Sequence, residues 1–538
     1  MIETLGLRLV RIVALVAVCA GVAARIFYFG GTPPGLNQDE ASIGYEAWSL
    51  LHYGVDRNGM SWPVDLINFG DGGNASFAYM AMPFVSFGLS PLTIRLPMLI
   101  SALASLPLIW LVARRLFDER AAWGATAVVS LSPWHIMLSR WAFEGNALPF
   151  LFLCGLALLA FAMNAGQRSL WLIAACAMFG VSVYSYAPAY LAVPLFVFGS
   201  LTICALRRIV TARQAGLGAL TFAIAAAPIA LFVLVNYFHW GTLKLGGITI
   251  PRLPVIAEFQ RQTAEGPLAH VGQFIRLLET QRDGQVYNVT DPYGVTYSGV
   301  FLVLAFGVVI ATIILVANGA WPVKRLLVSL WVIACIPTGI FVEPNINRVN
   351  LLLMGIVVAA GLALATIDNR IRGTLVVGIL SMSVPFCFFV HSYFTTQRDL
   401  IAAKFVDGLL PALHYAQSNV APTAGICVSG LINMPQVYTL FSETRDPWEY
   451  LRSVRYINPK GPLRRVASYG RYTFGLERCE FKDAQAVVSK REENVPKPFV
   501  KVRSFGQFDV STVTDSHSDN LHADLYPPVS TGARPSPQ

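Results

Sequence analysis

Two adjacent carboxylates, Asp39 and Glu40, stand about ten residues beyond the first apolar stretch of the chain, Arg11–Phe29. That stretch is long enough to cross a bilayer. Ionised groups at the end of such a segment are costly unless they act in the aqueous boundary. A carboxylate held there can take a proton from a hydroxyl or amine, at the depth where a lipid-linked substrate presents its head group. Four further clusters carry chemistry of the same kind: Asp71 in the turn after Asn68; His135, Arg140 and Glu144 within Pro133–Asn146; Tyr186 among Tyr184–Tyr190; and Asn345 and Arg348 in Glu343–Arg348. Acid, base and cation together suit group transfer from a phosphate-linked donor, since Arg can hold a leaving phosphate by charge and by paired hydrogen bonds.

Each cluster also has a plainer reading. Asp39 and Glu40 are well placed to cap a following helix. Arg140 and Glu144 are spaced as a helical ion pair. His135 beside Trp134 and the tyrosines fit an interfacial aromatic belt. Asp71 lies among glycines as turn residues do, and Arg348 fits a snorkelling boundary cation.

The elements that must position these residues are mostly membrane spans. Of the 538 residues, 55% are hydrophobic and 13% charged, against about 25% charged in soluble domains. About eleven spans are expected, centred near residues 20, 102, 128, 154, 178, 198, 225, 306, 332, 357 and 382. The first is read as retained, because it exceeds the apolar core of a cleaved signal, roughly 7–15 residues. Alternate connections carry Arg8 and Arg11, Arg114, Arg115 and Arg120, Arg168, Arg207, Arg208 and Arg213, Lys324 and Arg325, and Arg370 and Arg372. The positive-inside rule puts these in the cytoplasm. The N-terminus is then cytoplasmic, and all the polar clusters fall on the outer face. The formal net charge of +9 is accounted for in this way and implies no nucleic-acid partner.

Residues 1–392 are expected to form the membrane module, with outer loops at 30–90 and 238–296. In the first loop, Ala41–Tyr53 and Ala75–Leu89 read as amphipathic helices lying in the interface. Residues 393–510 read as a small soluble α/β domain outside the cytoplasm, with strands at Ala424–Leu431, Arg465–Phe474 and Phe499–Phe505 and a helix at Gln436–Glu443. The segment 511–538 has the composition of a disordered tail. Six of the eight cysteines lie in apolar segments. The other two, Cys427 and Cys479, form a disulfide or stay as separate thiols, depending on the compartment.

The run Gly35–Ala47, containing Asn37, Gln38, Asp39 and Glu40, resembles the first-loop signature of the bacterial glycosyltransferase family 39-like proteins of the GT-C superfamily. Leu131–His135 with Ser139, Arg140 and Phe143–Asn146 is similar to the next family block, and Phe69–Asp71, Arg95–Pro97, Pro344, Asn345 and Arg348 agree further. This superfamily includes protein O-mannosyltransferases and the lipid A aminoarabinose transferase, and the resemblance spans about residues 1–390. It implies a polytopic enzyme of a bacterial plasma membrane. Such an enzyme moves a sugar from a polyprenyl-phosphate donor to an acceptor on the outer face, usually with inversion. By this resemblance Asp39 is the catalytic base with Glu40 beside it. The resemblance also implies that basic residues of the outer loops bind the donor phosphate. From the clusters themselves, Asp71, His135, Glu144, Tyr186 and Asn345 are the expected substrate contacts, and a divalent metal, if one is used, falls to Glu40, Asp71 and His135. Many relatives carry a phosphate-binding Lys shortly after the position of Asp71; here Gly72, Gly73 and Asn74 follow, so that task passes to Arg140 and Arg348. The acceptor is left open among protein, lipid and envelope glycan.

Two other classes use lipid-linked sugars: a transporter or flippase, and a glycan polymerase or ligase. A transporter is expected to hold ionisable groups near the bilayer midplane in paired, broken helices, and the helix centres here are nearly free of charge. A polymerase or ligase is expected to place its key loop late in the chain.

Overall fold

The computed structural model describes residues 2–69, 71–164, 168–254, 257–459 and 464–513, and the side chains of these except 2–5, 71, 164, 257–265 and 267. The Asp71 side chain and residues 514–538 therefore lie outside the described part.

The chain begins with α1 (Ile2–Ile26) and α2 (Gln38–Tyr53), followed by a hairpin of β1 (Asp65–Asn68) and β2 (Asp71–Asn74) and by α3 (Ser76–Val85). The membrane body continues through α4 (Pro91–Leu116), α5 (Glu119–Leu131), α6 (Pro133–Leu138), α7 (Leu148–Asn164), α8 (Arg168–Ser182), α9 (Ala189–Leu206) and α10 (Ala212–Tyr237). A second large connection holds β3 (Leu243–Leu245), β4 (Ile248–Ile250) and α11 (Ala257–Thr280). Then come α12 (Val300–Ala317), α13 (Val323–Phe341), α14 (Asn350–Asp368) and α15 (Thr374–Phe394).

Every expected span centre falls inside one of these helices. Nine helices among the described residues are long and apolar enough to cross a membrane. The other two expected spans, α5 and α8, are shorter, at 13 and 15 residues. Helix α5 stops where Pro133 opens α6, because proline favours the first helical position and cannot continue the preceding ladder. Helix α14 is apolar on all sides and buried over nearly its whole length, as a central helix must be.

The basic connections meet at one end of this body. Arg11 Nε pairs with Glu119 at 2.6 Å, Arg120 with Asp368 at 3.3 Å, and Arg168 donates to the Ile209 carbonyl at 3.0 Å. Arg115 stacks on Phe161 and Arg207 on Trp321. Helices α2 and α3, the β1–β2 hairpin and the C-terminal region belong to the opposite end.

The C-terminal region contributes α16 (Thr396–Lys404), α17 (Leu409–Ser418), β5 (Gly425–Val428), α18 (Pro435–Glu443), α19 (Pro447–Ser453), β6 (Arg455–Tyr456), β7 (Val466–Tyr469), β8 (Tyr472–Phe474), β9 (Ala484–Lys490), β10 (Phe499–Phe505) and β11 (Phe508–Val513). Its seven strands form one mixed sheet in the order β10-β11-β9-β5-β8-β7-β6, with β5 parallel to both neighbours. The expected strand at Arg465–Phe474 is a hairpin instead, turning at Gly470 (φ +49°). Strand β11 runs to Val513, so residues 511–513 belong to the sheet and not to a tail. Cys427 and Cys479 are joined as a disulfide, with Cα atoms 6.1 Å apart.

Helix α2 departs from the expectation of an interfacial helix. Residues Glu40–Ala47 are all buried. Its Gly44 faces the Phe441 ring of α18, and Tyr45 donates to the Arg445 carbonyl at 2.6 Å. The C-terminal domain thus closes over α2, and the aromatic residues that suggested a membrane surface pack against protein.

Candidate active site

The connection from α1 to α2 must turn sharply to present Asp39. Gly35 sits at φ +72°, and a Cβ there would come within 2.3 Å of the Phe405 carbonyl oxygen, so glycine is required. The Leu36 N–H donates to that carbonyl at 2.7 Å. Asn37 then caps α2: its side-chain oxygen accepts from the Asp39 N–H at 2.9 Å, and Glu40 Oε2 accepts from the Asn37 N–H at 3.0 Å, a reciprocal capping box.

This cap separates the two acids. Glu40 is fully buried. Its Oε1 accepts from Arg95 Nε at 2.7 Å and from the Ala142 N–H at 2.8 Å; its Oε2 accepts from Arg95 Nη2 at 2.7 Å and from Asn37. A carboxylate offers about four acceptor positions, and all are used. Arg95 gives two of its other donors to the carbonyls of Pro33 and Gly35 at 2.7 and 2.9 Å. The pair pins the loop that carries Asp39. Glu40, expected to join Asp39 in catalysis, therefore has no free lone pair for a proton or a metal in this arrangement.

Asp39 is half-buried, and no described residue donates a hydrogen bond to its carboxylate. Burial first, and the negative Glu40 second, push its pKa up to about 6. Glu144, Tyr287 and Tyr438 all lie close enough to feel its charge. Burial and then Asp39 push the Tyr287 phenol up to about 12, and Tyr438 moves in the same direction for the same reasons. Both phenols stay protonated and can donate. Glu144 Oε2 is buried with no hydrogen-bond partner among the described residues, a condition that a bound donor would relieve.

Further contacts draw in the remaining loops. Asn350 Nδ2 donates to the Gly145 carbonyl, and Phe143 packs edge-on against Tyr186 at 5.4 Å. Trp141 meets Tyr287 at 5.3 Å. Asp283 Oδ2 accepts from the Ile346 N–H at 3.0 Å, which ties the Tyr287 loop to the loop of Asn345 and Arg348. Arg348 Nη1 contacts the Glu343 carbonyl and carboxylate at 3.0 and 2.9 Å. Asp39, Glu144, Tyr287 and Tyr438 thus form a ring of groups that feel one charge, and Tyr186, Asn345 and Arg348 are joined to it through neighbouring loop residues.

Arg140 and His135 do not join it. All five N–H donors of Arg140 go to backbone carbonyls at and beyond the end of α1: Thr32, Ala24, Arg25, Phe27 and Tyr28, at 2.7–3.0 Å. Nothing is left for a phosphate. His135 Nδ1 accepts from Arg25 Nη2 at 2.7 Å, and since guanidinium cannot accept this nitrogen carries no proton. The same Arg25 ties α1 to α5 through the carbonyls of Val129 and Ser130. His135 is part of a helix junction, separate from Glu40, and no group of three or more metal-ligating side chains occurs among the described residues. Tyr287, Tyr438 and Asp283 had no signal in the sequence, because their membership depends on distant loops folding together. Arg95 did have one, as part of the Arg95–Pro97 agreement.

A polytopic helical membrane body carrying a C-terminal mixed-sheet domain, with an acidic centre at the end covered by that domain, defines a class: the chain has the GT-C fold. Residues 77–232 match the model of the dolichyl-phosphate-mannose-protein mannosyltransferase family. This segment includes Arg95, Arg140, Glu144 and Tyr186 but not Asp39. The structure is similar to that of ArnT from Cupriavidus metallidurans bound to undecaprenyl phosphate, at 13% identity and TM-score 0.54, over 94% of this chain and 98% of that one. It is also similar to the oligosaccharyltransferase of Archaeoglobus fulgidus in complex with zinc and sulfate, at 13% identity and TM-score 0.51, over 89% and 68% of the two chains. No curated protein sequence matches the chain.

Proposed function

We propose that the protein is a membrane glycosyltransferase that moves a sugar from a polyprenyl-phosphate donor to an acceptor on the outer face, with Asp39 as general base. The observation that carries this reading is the Asp39 carboxylate: exposed enough to be reached, free of hydrogen bonds from described residues, and raised to about 6, near the pH at which a base works best. Asp39 takes the proton of the acceptor hydroxyl or amine as that atom attacks the anomeric carbon. The bond from this carbon to the phosphate oxygen breaks, and the polyprenyl phosphate leaves with the electron pair. Attack opposite the leaving group inverts the anomeric centre. Glu144, with its unpartnered oxygen, orients the acceptor together with the Tyr287 and Tyr438 hydroxyls.

Arg140 is saturated, so Arg348 is the cation we assign to the leaving phosphate. Its partner Glu343 is largely exposed, so that carboxylate can turn to water when a phosphate takes its place. The basic end of the body faces the cytoplasm by the positive-inside rule, which puts Asp39 and the C-terminal domain outside. The undecaprenyl phosphate bound by ArnT supports a donor of this chemistry. Purified protein incubated with a polyprenyl-phosphate sugar and an envelope extract is expected to release polyprenyl phosphate. Movement of a labelled lipid-linked sugar across proteoliposomes without such release would favour a flippase instead.

A further inference from the structure

At the basic end, remote from Asp39, a groove of about 270 Å³ opens between α12 and α14. Its walls are apolar, including Phe117, Leu304, Val308 and Leu362. Its depth comes from Gly307, whose missing side chain leaves open space. Helix α12 exposes Val303 at 72% and Ile310 at 57%, so this face of the body looks into the bilayer. A single charged side chain reaches the groove, Arg325 in the first turn of α13. It is half-buried and makes no hydrogen bond or ion pair with any described residue. A guanidinium against apolar walls without an anion is costly. Lys324, next to it in the chain (its Nζ donates to the Arg115 carbonyl at 3.4 Å), adds a second positive charge to this turn, and no carboxylate lines the groove.

We propose that this groove holds an acyl chain of an anionic phospholipid from the adjoining leaflet, with the lipid phosphate on Arg325. Apolar walls select a chain, and the unpaired cation at the rim selects a negative head group, as in basic pockets between membrane helices. A water-soluble anion would leave the walls unfilled. The first turn of α13 lacks a side-chain cap, so its free N–H groups add to the attraction for phosphate. The site is independent of the sugar-transfer reading, because it shares no residue with the ring around Asp39.

The test is native mass spectrometry of the full chain released from micelles with added phosphatidylglycerol or phosphatidylcholine. Wild type is expected to retain one phosphatidylglycerol at least about tenfold more tightly than phosphatidylcholine, the effect of one charge-assisted contact. Arg325→Gln is expected to abolish that preference, and Gly307→Leu, which fills the groove where nothing else stands, to weaken retention of both lipids. Equal retention of the two lipids by wild type overturns the proposal, as does an unchanged preference in folded Arg325→Gln or undiminished retention of both lipids by Gly307→Leu. Displacement of phosphatidylglycerol by equimolar polyprenyl phosphate also overturns it and gives the groove to the sugar donor's chain. Gel filtration checks folding, and Gly307→Leu stands as the probe should Arg325→Gln aggregate.

Discussion

Replacing Glu40 by Gln separates a positioning role from a catalytic one. Glu40 and Arg95 are both fully buried and joined by two 2.7 Å contacts. Removing one charge of such a pair costs about 3–5 kcal/mol, because the partner stays buried without compensation. Glu40→Gln leaves Arg95 facing one neutral amide oxygen in place of the carboxylate, beside the carbonyls of Pro33 and Gly35. Arg95→Met leaves Glu40 with only the N–H groups of Asn37 and Ala142. If the effects were independent, the double variant would lose about 6–10 kcal/mol. Since neither uncompensated charge survives in it, its loss is expected to fall short of that sum by a few kcal/mol. Unfolding by SDS in mixed micelles, with the thermal midpoint as a second readout, measures the cycle. Wild-type stability in either single variant, or strict additivity in the double, refutes the ion pair as the device that holds the Asp39 loop.

Four other outcomes are expected. The rate of sugar transfer at low substrate should rise with pH through about 6 and then level off, because Asp39 must lose its proton to act; a flat profile between pH 5 and 7 contradicts the base assignment. Arg140→Gln should fail to accumulate as folded protein, since each lost bond from a charged donor to a buried carbonyl is worth about 1.5–3 kcal/mol; a stable variant with only a raised donor KM would restore the phosphate-binding reading. Arg348→Gln should raise the donor KM while leaving the thermal midpoint nearly unchanged, and an unaltered KM removes it from the donor site. Cys427→Ser should abolish the mobility difference between reduced and oxidised protein on gels and destabilise the C-terminal domain by about 4 kcal/mol, read as faster proteolysis there; unchanged proteolysis shows that the cross-link is dispensable.

The spans were legible because each is a local property: some twenty apolar residues in a row are a helix in a bilayer whatever surrounds them. Loop elements were not, since their character depends on what covers them. Helix α2 has the aromatic content of an interfacial segment, and only the docking of Phe441 and Arg445 from 400 residues away makes it an internal helix. Strands β9 and β11 pair across the sheet with partners that local pattern does not name. The same distinction holds at the site. Asp39 was visible from its place after α1, whereas the saturation of Glu40 by Arg95 and Ala142 required three separate segments to meet. Arg140 misled for a related reason: a conspicuous arginine among outer-face residues looks like an anion site, yet the end of α1 supplies five carbonyl oxygens that take every donor it has.

Asp39 also carries a thermodynamic sign. Its folded pKa lies above the ordinary aspartate value, so protonation favours the folded state, and that advantage is lost as pH rises through about 6. Asp39→Asn should therefore match wild type in stability near pH 4 and exceed it at pH 7, a substitution that costs function and not fold. The most direct test of the central claim uses this variant. In a strain lacking the gene, the envelope glycan that disappears is identified by mass spectrometry, and wild type or Asp39→Asn is returned at equal membrane abundance. The account predicts that wild type restores the glycan and Asp39→Asn does not, while its thermal midpoint at pH 7 is at least that of wild type. Restoration of the glycan by Asp39→Asn would contradict it.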